Sequence, residues 1–218
     1  MKRSIILSTF FLFATIPLTV SAQQALFNAP VTPATRKGVE SVCAGLSVSK
    51  IMRGDFIQRK DIKSLSRSFS GNGTFTISRD DGIIWNTVKP FPSLMVVGAA
   101  RIVQSTPNGK TSVIDASQNP VFTQFADTIR AVFSGNSQLL FSRFDVYYLA
   151  DANGEWQIGL VPNDSVIRSV ISSMVLSGGD HLSRFRMSEP SGDTVQYDFS
   201  NMTFSGELND AEKEQFSR

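Results

Sequence analysis

Across most of residues 50–205, apolar side chains recur at every second position, in short runs cut by turn residues. A period of two marks strands with one buried face. Phe75 and Ile77 alternate with Thr74, Thr76 and Ser78, and Asp80-Asp81-Gly82 is a turn signal before Ile83–Val88. Leu94–Val97 and Arg101–Gln104 read as a hairpin through Gly98, and Pro107-Asn108-Gly109-Lys110 turns the chain into Thr111–Ile114. Later, Phe144/Val146/Tyr148, Trp156/Ile158/Leu160, Phe185/Met187 and Val195/Tyr197/Phe199 alternate in the same way. About nine to eleven short strands result. No strand–helix–strand alternation runs through them, which argues against a parallel sheet. The expected fold is mainly β with some α: a curved antiparallel sheet forming a half-open barrel, covered by a lid of short helices.

Two stretches change period. Val39, Val42, Cys43 and Leu46 fall on one helical face. Asn119-Pro120 is an N-cap followed by proline at the first helical position, and Val121, Phe122, Phe125, Ile129, Val132 and Phe133 then form a wide apolar stripe ending at Gly135. Residues 166–176 have helical spacing but β-branched content, and are predicted as strand. Residues 23–34 read as a loose lead-in, and the polar tail from Asn209 as a frayed helix or loop.

The N-terminus joins a basic head (Met1-Lys2-Arg3), an apolar run from Ile5 to Val20 and a small-residue site at Val20-Ser21-Ala22. That is the form of a secretory signal peptide. The expectation is a signal over residues 1–22, cleaved after Ala22, and one soluble periplasmic domain over 23–218. Removing Lys2 and Arg3 takes the formal net charge from +2 to zero, so the electrostatic case for a nucleic-acid partner disappears. Cys43 is the single cysteine, which excludes an intramolecular disulfide.

The catalytic inventory is thin. His181 is the only histidine and sits beside Gly178-Gly179-Asp180 in a turn. One His and one Cys do not make a usual zinc site or a convincing triad. Ser47-Val48-Ser49-Lys50 matches S-x-x-K, but the partner elements of that motif are missing. The carboxylates at Asp80-Asp81 and at Asp145/Asp151 lie at turns or strand ends, where solvated roles are commonest. No cofactor and no enzymatic activity are expected. What remains is apolar surface facing a sheet interior, and periodicity alone does not separate a filled core from a cavity.

Several segments resemble the LolA-like lipoprotein carriers. These are Gly54-Asp55-Phe56-Ile57-Gln58; Gly73-Thr74-Phe75 followed by Arg79 and, six residues on, Trp85, then Thr87 and Pro90; Trp156-Gln157-Ile158-Gly159-Leu160-Val161-Pro162; and Gly192-Asp193-Thr194 through Phe199-Ser200-Asn201. The resemblance spans roughly residues 36–208. Asp80 stands where the family has proline, and Ile83 where it has an aromatic residue. The resemblance implies an unclosed barrel with an apolar cavity that takes acyl chains. It implies passage of lipoproteins from an inner-membrane ABC-type releasing complex to an outer-membrane acceptor lipoprotein. By the same likeness, Arg79 is the latch that bonds lid backbone, a role suited to its rigid fork of donors. Phe75, Ile77, Ile83, Trp85, Leu94 and Val96 are expected to line the cavity, with helix 121–133 as a lid presenting Phe122, Phe125, Ile129 and Phe133. A carrier of another lipid-tailed molecule and an envelope binding or sensor module are the alternatives.

Overall fold

A computed structural model describes residues 22–47, 49–98, 101–115 and 136–217. Eleven strands form one sheet: β1 (Ile51–Ile62), β2 (Arg67–Ser78), β3 (Gly82–Lys89), β4 (Ser93–Val97), β5 (Arg101–Ser105), β6 (Thr111–Asp115), β7 (Phe144–Ala150), β8 (Trp156–Pro162), β9 (Ser173–Gly178), β10 (Leu182–Ser188) and β11 (Thr194–Ser205). Their spatial order is β6-β5-β4-β3-β2-β1-β11-β10-β9-β8-β7, and every pairing is antiparallel. The expected half-open barrel is therefore present. β6 and β7 are its two edges and do not pair with each other. The long central strand β1 pairs with β2 through twelve residues, from Ile51↔Ser78 to Ile62↔Arg67, and with β11 on its other side.

The helices are short. α1 (Ala22–Phe27) and α2 (Pro33–Leu46) come first, then α3 (Ser137–Arg143), α4 (Ser165–Arg168) and α5 (Asp210–Ser217). α2 begins where Thr32 and Thr35 satisfy each other's backbone N–H groups, with Pro33 at the first helical position. Its face buries Val39 and Cys43 in the main core. Burial pushes the Cys43 thiol up to about 11, so it stays protonated and behaves as a small apolar side chain.

Three local expectations are corrected. The lead-in is not loose: α1 buries Leu26, Phe27 meets the Tyr147 ring edge-on at 5.2 Å, and Ala29 and Val31 bond to the edge of β7. Residues 166–176 are not one strand. Asp164 accepts from the N–H groups of Val166 and Ile167 and starts α4, so β9 begins only at Ser173. A capping carboxylate outweighed β-branched propensity there. The polar tail is a docked helix: Asn209 and Glu212 form a reciprocal cap, with Glu212 N–H donating to Asn209 Oδ1 at 2.9 Å and Asn209 N–H donating to Glu212 Oε2 at 2.8 Å.

That cap also pins α5 to the convex face. Arg53 on β1 donates to both Glu212 oxygens, at 2.6 and 2.5 Å, and the Thr76 hydroxyl donates to Oε1 at 2.9 Å. Phe216 then packs on a small outer cluster of Ile84, Val96 and Val103. The Arg53 hydrogen bonds hold the Glu212 carboxyl below its ordinary value. A depressed folded pKa stabilises the fold above the unfolded pKa, and that contribution is lost as pH falls through the folded value. Glu212→Gln is expected to cost about 2 kcal/mol at neutral pH. Urea denaturation should show the difference from wild type shrinking as pH drops through the acidic range.

Candidate functional site

The concave face of the sheet is where the inward positions of its strands converge. Met52 from β1, Phe75 and Ile77 from β2, and Ile83 and Trp85 from β3 form one side. Leu182 and Phe185 from β10, and Tyr197, Phe199 and Met202 from β11, form the other. No charged side chain is among them. Aromatic rings interlock across the interior: Trp85 stacks on Phe56 at 4.2 Å and meets Tyr197 edge-on at 5.0 Å, and Phe75 meets Phe199 at 5.2 Å. Burial pushes the Tyr197 hydroxyl up to about 12, so the wall carries no charge at neutral pH. The free space left between these side chains is about 10 Å³, room for about one water molecule. Among the described residues, these side chains thus nearly fill the space between them.

Of the residues named from the sequence, Phe75, Ile77, Ile83 and Trp85 lie on this wall. Leu94 and Val96 do not. Pairing of Ile83 with Val97 and of Trp85 with Met95 fixes the parity of β4, so Val97 and Met95 face inward. Leu94 and Val96 face outward and pack with Ile84, Val103 and Phe216. β4 is apolar on both faces because α5 covers its outer one. Phe122, Phe125, Ile129 and Phe133 lie outside the described residues, as does the whole of helix 121–133. Six wall residues were not named from sequence: Met52, Leu182, Phe185, Tyr197, Phe199 and Met202. The alternations Phe185/Met187 and Val195/Tyr197/Phe199 carried part of that signal.

Arg79 sits at one end of the chamber, in the β2–β3 turn. Its guanidinium Nη2 donates to the carbonyl oxygens of Ser47 and, at 3.2 Å, of Ser49, and its backbone N–H donates to Lys50 O at 3.0 Å. Those carbonyls belong to the chain just after α2, so Arg79 ties the end of α2 to the sheet. Its Nε is buried with no hydrogen-bond partner. α2 itself does not seal the barrel. Gly38, Val42 and Gly45 border an open groove of about 380 Å³ against Tyr148, Trp156 and Gly179.

Among the described residues, His181, Ser47, Asp81 and Asp151, weighed above as chemical candidates, have local structural partners. His181 lies in the β9–β10 turn against the Phe204 ring at 4.7 Å. The Ser47 hydroxyl donates to Ala44 O as part of the α2 terminus. Asp81 accepts from the Ser78 hydroxyl, and Asp151 accepts from turn N–H groups. Among the described residues, no three His, Cys, Asp or Glu side chains gather as a metal site.

The sequence profile of the family "Outer membrane lipoprotein carrier protein LolA" matches residues 47–214. The chain belongs to the LolA family. Similar solved structures include a DUF1329 family protein from Desulfovibrio piger, with 10% identity over 82% of this chain and 95% of that one, at a TM-score of 0.48. Another is a LolA superfamily protein from Nitrosomonas europaea, with 11% identity over 81% and 96%, at 0.46. A third is a putative outer membrane lipoprotein-sorting protein domain from Vibrio parahaemolyticus, with 12% identity over 83% and 97%, at 0.44. A comparison with curated proteins gives no match. For this LolA family member, the wall should be tightly coupled to stability. Phe185→Ala removes a fully buried ring and is expected to cost about 3–5 kcal/mol in chemical denaturation. The folded variant should bind an apolar dye such as Nile red more strongly than wild type.

Proposed function

We propose that this protein is a periplasmic carrier that takes acyl chains into the concave chamber, performs no catalysis, and passes lipoproteins from an inner-membrane ABC-type releasing complex to an outer-membrane acceptor lipoprotein. The observation that carries the reading is the uncharged, aromatic and aliphatic wall on the concave face of a LolA-family sheet. Each methylene moved from water onto such a wall gains roughly 0.8 kcal/mol. A wall with no charged side chain recognises a tail by length and shape, not by a charged headgroup. Among the described residues no helix is long and apolar enough to cross a membrane.

The nearly filled chamber sets the mechanism. Tails enter only if inner side chains and the α2 end move apart. Arg79 bonds the backbone after α2 in the closed state, so loading breaks those bonds and release restores them. The latch therefore favours the empty form and keeps cargo exchangeable. Asp80 and Ile83, where the family pattern differs, flank this latch and wall, and leave a different lipid-tailed cargo as the alternative.

Protein purified from the periplasm and examined by native mass spectrometry should carry acylated species, whose masses separate lipoproteins from other lipids. A clean apo protein that takes up no apolar dye would overturn the carrier reading. Arg79→Leu should hold cargo about tenfold more tightly and slow its transfer to an acceptor, since it loses hydrogen bonds made only in the closed form. Transfer at the wild-type rate would rule out the latch.

A further inference from the structure

The two ends of the sheet differ in chemistry. Antiparallel pairing places the β1–β2, β3–β4, β5–β6, β8–β9 and β10–β11 connections at one end. The β2–β3, β4–β5, β7–β8 and β9–β10 connections and the Arg79 latch lie at the other. Nine large apolar side chains are well exposed among the described residues, and six of them sit at the first end: Leu65, Phe69, Val88, Phe91, Val166 and Val170. Phe91, at the tip of the β3–β4 turn, is 82% exposed. Phe204 alone of the nine belongs to the opposite end.

Charge divides the same way. Residues 59–67, 88–92, 106–110, 163–172 and 189–193 carry seven Lys or Arg against four Asp or Glu. Residues 47–50, 79–81, 98–101, 151–155, 179–181 and 206–209, at the latch end, carry three against six. A chain with no net charge beyond its first 22 residues is thus electrically polarised along its strands. All four acids at the basic end are engaged within the fold: Asp61 accepts from Arg59 at 2.9 Å, Glu189 lies 3.9 Å from Lys60, Asp164 caps α4, and Asp193 accepts from the Lys63 N–H at 3.0 Å. Among the described residues, that leaves Lys63, Arg67, Lys89, Lys110 and Arg168 without an acidic partner at this end. Lys89 and Arg67 lie beside the exposed Val88 and Phe69.

We infer that this end is a docking surface for an anionic lipid bilayer. Exposed apolar tips ringed by Lys and Arg match the interface of such a membrane, where rings enter the headgroup layer and cations meet lipid phosphates. The acidic opposite end is repelled by the same surface, so the polarity fixes the orientation as well as the attraction. A purely polar rim would give salt-sensitive adsorption without depth. A purely apolar rim would not discriminate between lipid charges. This end has both components: exposed apolar residues on the β1–β2, β3–β4 and β8–β9 connections, and Lys or Arg on those three and on β5–β6. A membrane is the favoured partner because the apolar residues lie as separate points on three connections and the strand ends beside them, not as one continuous groove that a protein helix or strand would fill.

The inference goes beyond the carrier reading and is read out without cargo. Full mature protein is mixed with vesicles of phosphatidylcholine alone, or of phosphatidylcholine with phosphatidylglycerol, and sedimented at low and high salt. Binding is expected to the phosphatidylglycerol vesicles, weakening as salt rises. Phe91→Ser should weaken it about tenfold, and Arg67→Glu at least fivefold. Phe204→Ser, at the opposite end, should bind like wild type. Circular dichroism checks that each variant is folded. No binding to anionic vesicles, equal binding to both vesicle types, or wild-type binding by both rim variants would overturn the inference. So would a rim variant that fails only in transfer to a purified protein acceptor, which would mark a protein docking surface. Acylated species bound by a protein that ignores vesicles would leave the carrier reading intact and refute this one.

Discussion

The structure depends on the parity of strand pairing. In a sheet of alternating faces, one register fixes which side chains every neighbouring strand turns inward. β1 holds that parity through its long ladders to β2 and β11. Met52 and Phe56 point inward from β1, so Ile77 and Phe75 do from β2, Ile83 and Trp85 from β3, and Tyr197 and Phe199 from β11. Curvature then brings these inner positions together. A one-residue slip at β1 would turn Arg53 and Asp55 into the chamber and the aromatic wall out to water. The irregularity between Arg53 and Asp55 in the β1–β11 ladder is compatible with this because it is absorbed on one side only.

The same rule separates what the sequence made legible from what it hid. β2 and β3 read clearly because Phe75, Ile77, Ile83 and Trp85 alternate with polar residues or follow a strong turn. β4 did not, because Leu94-Met95-Val96-Val97 is apolar at every position. A continuous apolar run is what two covered faces produce, and it carries no parity. The cover on the outer face is α5, and α5 was read as a polar tail. Its helical signal was local and electrostatic: the Asn209–Glu212 cap and one apolar contact from Phe216. Its partner, Arg53, lies 159 residues before Glu212 in the chain, where spacing arguments do not reach. α4 was hidden similarly, by Asp164 acting as a cap among β-branched residues.

Resemblance singled out Arg79 as a latch on lid backbone; the carbonyls it meets are those just after α2, helix 121–133 lies outside the described residues, and the geometry has a physical sense of its own. Arginine at the chamber's end presents donors that carbonyl oxygens at a helix terminus lack. It bonds main chain, not side chains, so the contact constrains where the α2 end sits and is indifferent to which residues form it. The buried Nε without a partner makes the arrangement less than fully satisfied. Under the proposed carrier reading, a tie of that kind would hold a closed state without making it prohibitive to open.

The small free volume between the described wall side chains bears on how a carrier would work. A rigid preformed void lined by aromatic rings would bind a tail with its full transfer energy, because nothing else is displaced. Here Phe56, Trp85, Tyr197 and Phe199 already fill the space with one another. An entering tail must exchange ring–ring contacts for ring–tail contacts, and only the difference between the two appears as affinity. The empty state is thereby protected from the cost of an exposed apolar cavity, and the loaded state is kept shallow. Both are needed in a protein that must survive without cargo and still surrender it. On this view the aromatic content of the wall is a device for reversibility, since stiff rings can repack as units when a tail leaves. It also explains why periodicity could not tell a core from a cavity: in the closed state the two are the same residues in the same contacts.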